Sequence, residues 1–64
     1  MFRELDRVVL KKNMLSHGLN RGAHGSILSA HPKNVGYEVE FIDPKGNKIT
    51  VVSLKSSDIR AANL

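Results

Sequence analysis

The chain has 64 residues, ten Lys and Arg against six Asp and Glu, a formal net charge of +4 and no cysteine. So short a chain forms one domain that buries only about 60% of its unfolded surface, and without cysteine it has no disulfides, thiol chemistry or cysteine metal ligands to draw on. The basic balance favours an acidic partner, nucleic acid or an acidic protein surface, while the short apolar runs and the acids in Met1-Phe2-Arg3-Glu4-Leu5-Asp6 exclude a membrane span and a signal peptide, so a soluble, cytoplasmic, bacterial-type protein is expected.

Residues 1–5 form an N-terminal arm whose Phe2 and Leu5 are available to lie on a core. A first strand is expected from about Arg7 to Lys11, with Val8 and Leu10 on one face and Arg7 and Val9 on the other. Lys12 to Arg21 is a long loop punctuated by Gly18 and Asn20, both tolerant of left-handed backbone. At least one of its apolar residues Met14, Leu15 and Leu19 should tuck over the open end of the core. Gly22 and Gly25 shape a turn into a second strand over Ala23 to Ala30, with Ile27 inward and Leu28 opposite.

The polar connection His31-Pro32-Lys33-Asn34 ends that strand, because Pro32 has no amide to donate. A third strand from Gly36 to Ile42 alternates Tyr37, Val39 and Phe41 against Glu38 and Glu40, the pattern of a sheet with one face on a core. Asp43-Pro44-Lys45-Gly46 has the residue order of a β-turn and joins it as a hairpin to a fourth strand, Lys48 to Ser53. There Ile49 and Val51 are expected inward, against Thr50 and Val52 outward. Ser56-Ser57-Asp58-Ile59 is a single helical turn, capped by Ser56 or Ser57, that returns Ile59 to the core. Arg60 adds a very short fifth strand beside the first, and residues 61–64 are a flexible tail.

Five short strands, a long first loop, a central hairpin and a one-turn helix before the last strand match a small all-β, SH3-like five-stranded antiparallel barrel, one domain over residues 1–64. Its expected core is Val8, Leu10, Ile27, Val39, Phe41, Ile49 and Val51. Gly22-x-x-Gly25-x-Ile27 followed by Tyr37-x-Val39-x-Phe41 is similar to the KOW-type barrels of ribosomal and transcription proteins. The chain further resembles a small bacterial family classed only as a domain of unknown function. The residues that carry this are Leu5-Asp6-x-Val8-Val9-Leu10, His17-Gly18-Leu19, Gly22-x-x-Gly25-x-Ile27, Tyr37-Glu38-Val39-Glu40-Phe41, Asp43-x-x-Gly46, and Leu54 leading to Asp58-Ile59. The resemblance implies a barrel without assigned chemistry, often one half of a two-gene module resembling toxin and antitoxin pairs.

Candidate chemistry is sparse. His17, His24 and His31 lack the His-x-His or His-x-x-x-His spacing that converges on a metal, so no metal and no cofactor is expected, and His17 is expected to cap its loop by bonding backbone. Glu38 and Glu40 share a face but are expected to be solvated strand residues opposite Lys or Thr, and Asp6 to pair with Arg7 or Arg60. No nucleophile elbow surrounds any serine, so no catalytic residue and no enzyme activity is expected. The expected function is protein binding, as the accessory or antitoxin-like member of a two-gene module whose partner is a toxin-like protein. Met14, Leu15, His17, Leu19, Asn20 and Arg21 would carry the contact, since loops on a rigid scaffold concentrate binding. The alternative is a KOW-like nucleic-acid module using Lys11, Lys12, Arg21, Lys45, Lys48 and Arg60 through backbone electrostatics, the few aromatics being needed by the core. A monomer or a weak homo-oligomer paired through strand edges is compatible with either.

Overall fold

The computed structural model describes residues 2–31 and 36–62. Five strands, β1 (Arg7–Leu10), β2 (His24–Ala30), β3 (Tyr37–Ile42), β4 (Lys48–Leu54) and β5 (Ile59–Ala61), form one antiparallel sheet in the order β4-β3-β2-β1-β5. That order, with a 3₁₀ turn at Ser56–Asp58 carrying the chain from β4 to β5, is the SH3-like barrel that the spacing implies. β5 takes in Ala61, one residue into the expected tail, and the Ala62 amide donates to the Arg7 carbonyl at 3.0 Å. The connection at Pro32 to Asn34 and the last two residues of the tail lie outside the described residues.

Val8, Leu10, Leu19, Ile27, Val39, Phe41, Val52, Leu54 and Ile59 make the core, with Phe2 and Tyr37 packed against it edge to face at 5.5 Å. Leu5, expected to join them, instead stands 80% exposed, with a left-handed φ of 72° that Gly, Asn or Asp would tolerate better. Its amide donates to the Ile27 carbonyl at 2.8 Å and the Ile27 amide to the Asp6 carbonyl at 2.9 Å, so the arm is laid along β2. The Asp6 carboxylate accepts the Arg3 amide at 2.8 Å and closes this turn. The expected pairing of Asp6 with Arg7 or Arg60 is therefore corrected: a nearby backbone donor has taken its acceptor.

The inward face of β4 is the second correction. Val39 stands opposite Val52, Tyr37 opposite Leu54 and Phe41 opposite Thr50, so residues 50, 52 and 54 face inward. Ile49 and Val51 are 46% and 40% exposed. The cause is in the hairpin: the Gly46 amide closes the turn on the Asp43 carbonyl at 2.9 Å, and the register then slips where Ile42 meets Lys48 although Phe41 meets Thr50. Ile49 is the extra residue of a bulge, and a one-residue shift reverses every face beyond it. A second bulge at Leu28, between Ile27 and Ser29 of β2, adds the curl that wraps the sheet around its core.

The Ser56–Asp58 turn is capped by Lys55 and not by a serine. The Asp58 carboxylate reaches back to accept the Lys55 amide at 3.1 Å, while the Asp58 amide donates to the Lys55 carbonyl at 2.9 Å. No helix among the described residues is long and apolar enough to cross a membrane.

Candidate functional site

The loop between β1 and β2 is tied down at nearly every step. Lys11 donates its amide to the Asp58 carbonyl at 2.8 Å, and the Lys12 ammonium lies 3.1 Å from the Asp58 carboxylate. Asn13 accepts the Arg21 amide on its side-chain oxygen at 2.8 Å, closing the base of the loop. Met14 and Leu19 exchange amide-to-carbonyl bonds at 2.8 and 3.1 Å across a 3₁₀ turn at Leu15–His17, which ends where Gly18 takes φ 71°. The Gly22 amide then donates to the Leu10 carbonyl and the Leu10 amide to the Ala23 carbonyl, both at 2.9 Å, so the loop returns as a continuation of the β1–β2 ladder.

The anchoring sorts the expected partner-binding residues into two groups. Leu19 is 2% exposed and Met14 lies half-buried against the core, so these two close the barrel end. Leu15 is 74% exposed, and His17, Asn20 and Arg21 are exposed as well. The His17 ring makes no hydrogen bond among the described residues, because Gly18, with its left-handed backbone, already ends the turn. The loop's end also forms one wall of a surface groove of about 550 Å³, whose other wall is the β3–β4 turn. Arg7, Arg21 and His24 line it, together with Ile42, Ile49 and Asp43. Asp43 accepts the Lys45 and Asn47 amides at 2.9 Å each, so its carboxylate is committed to the turn.

Of the six candidate nucleic-acid cations, Lys11, Arg21 and Arg60 line a second, adjoining notch of about 310 Å³. Lys12 is taken by Asp58, Lys48 lies 4.0 Å from Glu40, and Lys45 sits in the β3–β4 turn. Arg7 and His24, which line the first groove, were not legible as part of it. The outward phase of Arg7 on β1 could be read from its alternation with Val8, but only the pairing of Val9 with His24 brings β2 into line with it.

Two carboxyls are held below their ordinary range. For Glu38 the Ser53 hydroxyl, which donates to it, is the main cause, followed by the His31 ring at 3.4 Å; both outweigh the small opposing effect of burial. For Asp58 burial alone would raise the value, but the Lys55 amide and the Lys12 ammonium together outweigh it. A carboxyl held ionised in this way is poorly matched to proton donation, and Glu38 and Glu40 answer separately to Ser53 and Lys48 across the sheet. Among the described residues, no three His, Cys, Asp or Glu side chains gather where a metal could bind.

The family model described as Domain of unknown function (DUF4926) matches residues 4–61, which takes in the run of motifs from Leu5-Asp6 to Asp58-Ile59. No curated protein and no solved structure matches the chain.

Proposed function

The chain belongs to that family, and we propose that it acts as a non-enzymatic protein-binding module, the antitoxin-like or accessory member of a bacterial two-gene pair that masks a partner protein. One observation carries this: Leu15 stands 74% exposed at the centre of a loop whose backbone is bonded to the barrel on both sides. Such a loop pays little ordering entropy on binding, and a loop that exposes Leu15 together with His17, Asn20 and Arg21 has the composition of an interface. Affinity purification from the native host, comparing the parent with a His17→Ala, Arg21→Ala double variant, tests it. The variant should keep its melting temperature within a few degrees and bind the recovered protein more weakly by about 1–2 kcal/mol or more. Recovery of the same protein at unchanged affinity removes the loop from the interface.

A second reading, nucleic-acid binding, is favoured by the meeting of Lys11, Arg21 and Arg60 at one notch. It requires an affinity that falls with salt at a slope of about −0.7 per phosphate contact on single strands. Absence of RNA or DNA binding at low salt eliminates it.

A further inference from the structure

We propose that the notch between the end of β1, the turn at Arg21 and Gly22, and β5 seats one phosphate monoester dianion, held by Lys11, Arg21 and Arg60. The proposal shares only Arg21 with the loop contact above; Lys11 and Arg60 lie outside that loop's partner set.

The three cations come from three separate segments and line one concavity with Leu10 and Gly22. Each is carried by pinned backbone. The Lys11 amide donates to the Asp58 carbonyl at 2.8 Å, and the Arg21 amide to the Asn13 side chain at 2.8 Å. Arg60 is paired with Val9 in the β1–β5 ladder. No lining residue is acidic, and the carboxylate that the Lys11 backbone adjoins, Asp58, is already occupied by Lys12 and the Lys55 amide.

Like charges gathered without a counter-charge repel, and folding gains nothing by gathering them. An anion seated among them converts that repulsion into attraction. Two guanidinium forks and one ammonium match a tetrahedral oxyanion with three acceptor oxygens. The charge of a monoester, about −1.5 to −2 near neutral pH, suits three cations better than a single carboxylate does. An extended strand would need further charges that track its backbone beyond the three that line this notch. Here the three residues line one notch, with the Arg60 guanidinium also donating to the Ala61 carbonyl at 3.5 Å, while Lys12 and Lys48 face carboxylates elsewhere.

The test is thermal melting of the full chain with inorganic phosphate, with phosphoserine and with a single-stranded oligonucleotide, each at constant ionic strength made up with sodium chloride. Inorganic phosphate should raise the melting temperature saturably, and phosphoserine should do so less as pH falls through its second phosphate pKa near about 6. Lys11→Gln, Arg21→Gln and Arg60→Gln should each weaken that binding by about ten-fold or more, with the unliganded circular dichroism unchanged. A response to phosphoserine at least as strong as that to inorganic phosphate supports the monoester; a response to inorganic phosphate alone overturns it. A rise no larger than the chloride control gives, a rise that survives all three substitutions, or preferential binding of the oligonucleotide overturns the proposal.

Discussion

Gly22 and Gly25, two positions of one motif, need glycine for different reasons. Gly22 has φ 96° and open space where a Cβ would stand, so the requirement is conformational. Gly25 lies inside β2, where a Cβ would come within 2.7 Å of the Glu40 carbonyl oxygen and 3.0 Å of the Phe41 and Val39 side chains. Gly22→Ala should therefore cost about 1 kcal/mol of left-handed strain, and Gly25→Ala about 2–3 kcal/mol because a paired strand must move. Urea unfolding of the two variants measures the difference; equal costs would contradict the packing of β3 on Gly25. Asp58 sets a pH dependence at the same scale. Its folded value is depressed from an ordinary 3.8, so its contribution is present above that value and is lost as pH falls through the lower, folded one. Asp58→Asn should cost about 1 kcal/mol at neutral pH and almost nothing in acid below the depressed folded value, where the parent carboxyl is protonated as well. A penalty of equal size under both conditions would mean that the charge on Asp58 is idle.

Among the elements, β4 is where alternation and register part. Ile49-Thr50-Val51-Val52-Ser53-Leu54 carries apolar residues on both faces, so a period of two alone cannot choose the buried one. The hairpin chooses: opposite residues of an antiparallel pair share a face, and Val39 opposite Val52 brings Val52 inward. Val52 is 6% exposed and Val51 40%, adjacent valines with opposite surroundings. Val52→Ala is expected to cost about 2 kcal/mol and Val51→Thr to stay within about 0.5 kcal/mol of the parent. Chemical denaturation midpoints separate the two, and the reverse order of costs would restore the face expected from alternation. Both bulge residues, Leu28 and Ile49, are exposed apolar side chains, so the curl of the sheet is obtained by turning aliphatic groups toward solvent.

For the whole molecule, the small core makes single large side chains decisive. Phe41 is fully buried at its centre. Phe41→Ala should cost about 3–5 kcal/mol, close to the entire stability of a domain this size. Circular dichroism should show loss of the cooperative melt; a transition within a few degrees of the parent would falsify the core described above. The long loop shares in this economy. Leu19 completes the core from the loop, and by doing so it anchors the segment that presents Leu15 and Arg21 at the surface.

What the sequence by itself determined is what a few neighbouring residues encode. The alternation of Tyr37 to Phe41 specified β3 and its inward face, and Asp43 to Gly46 specified the hairpin turn. The spacing of Ser56 to Ile59 specified a helical turn before a short last strand. Composition and chain order together were enough for the barrel class. The tertiary structure alone decided which face of β4 is buried, because ladder register depends on a bulge that no local period marks. It decided the cap at Lys55, where the Asp58 amide donates to the Lys55 carbonyl while the Asp58 carboxylate accepts the Lys55 amide, so the turn starts one residue before either serine. It also decided the candidate sites. Lys11, Arg21 and Arg60 are distant along the chain and meet only because β1 pairs with β5 while the Gly22 amide is drawn back to Leu10. Charge on a surface belongs to whatever the fold makes adjacent, and that adjacency is set by long-range backbone pairing, which composition and spacing do not contain.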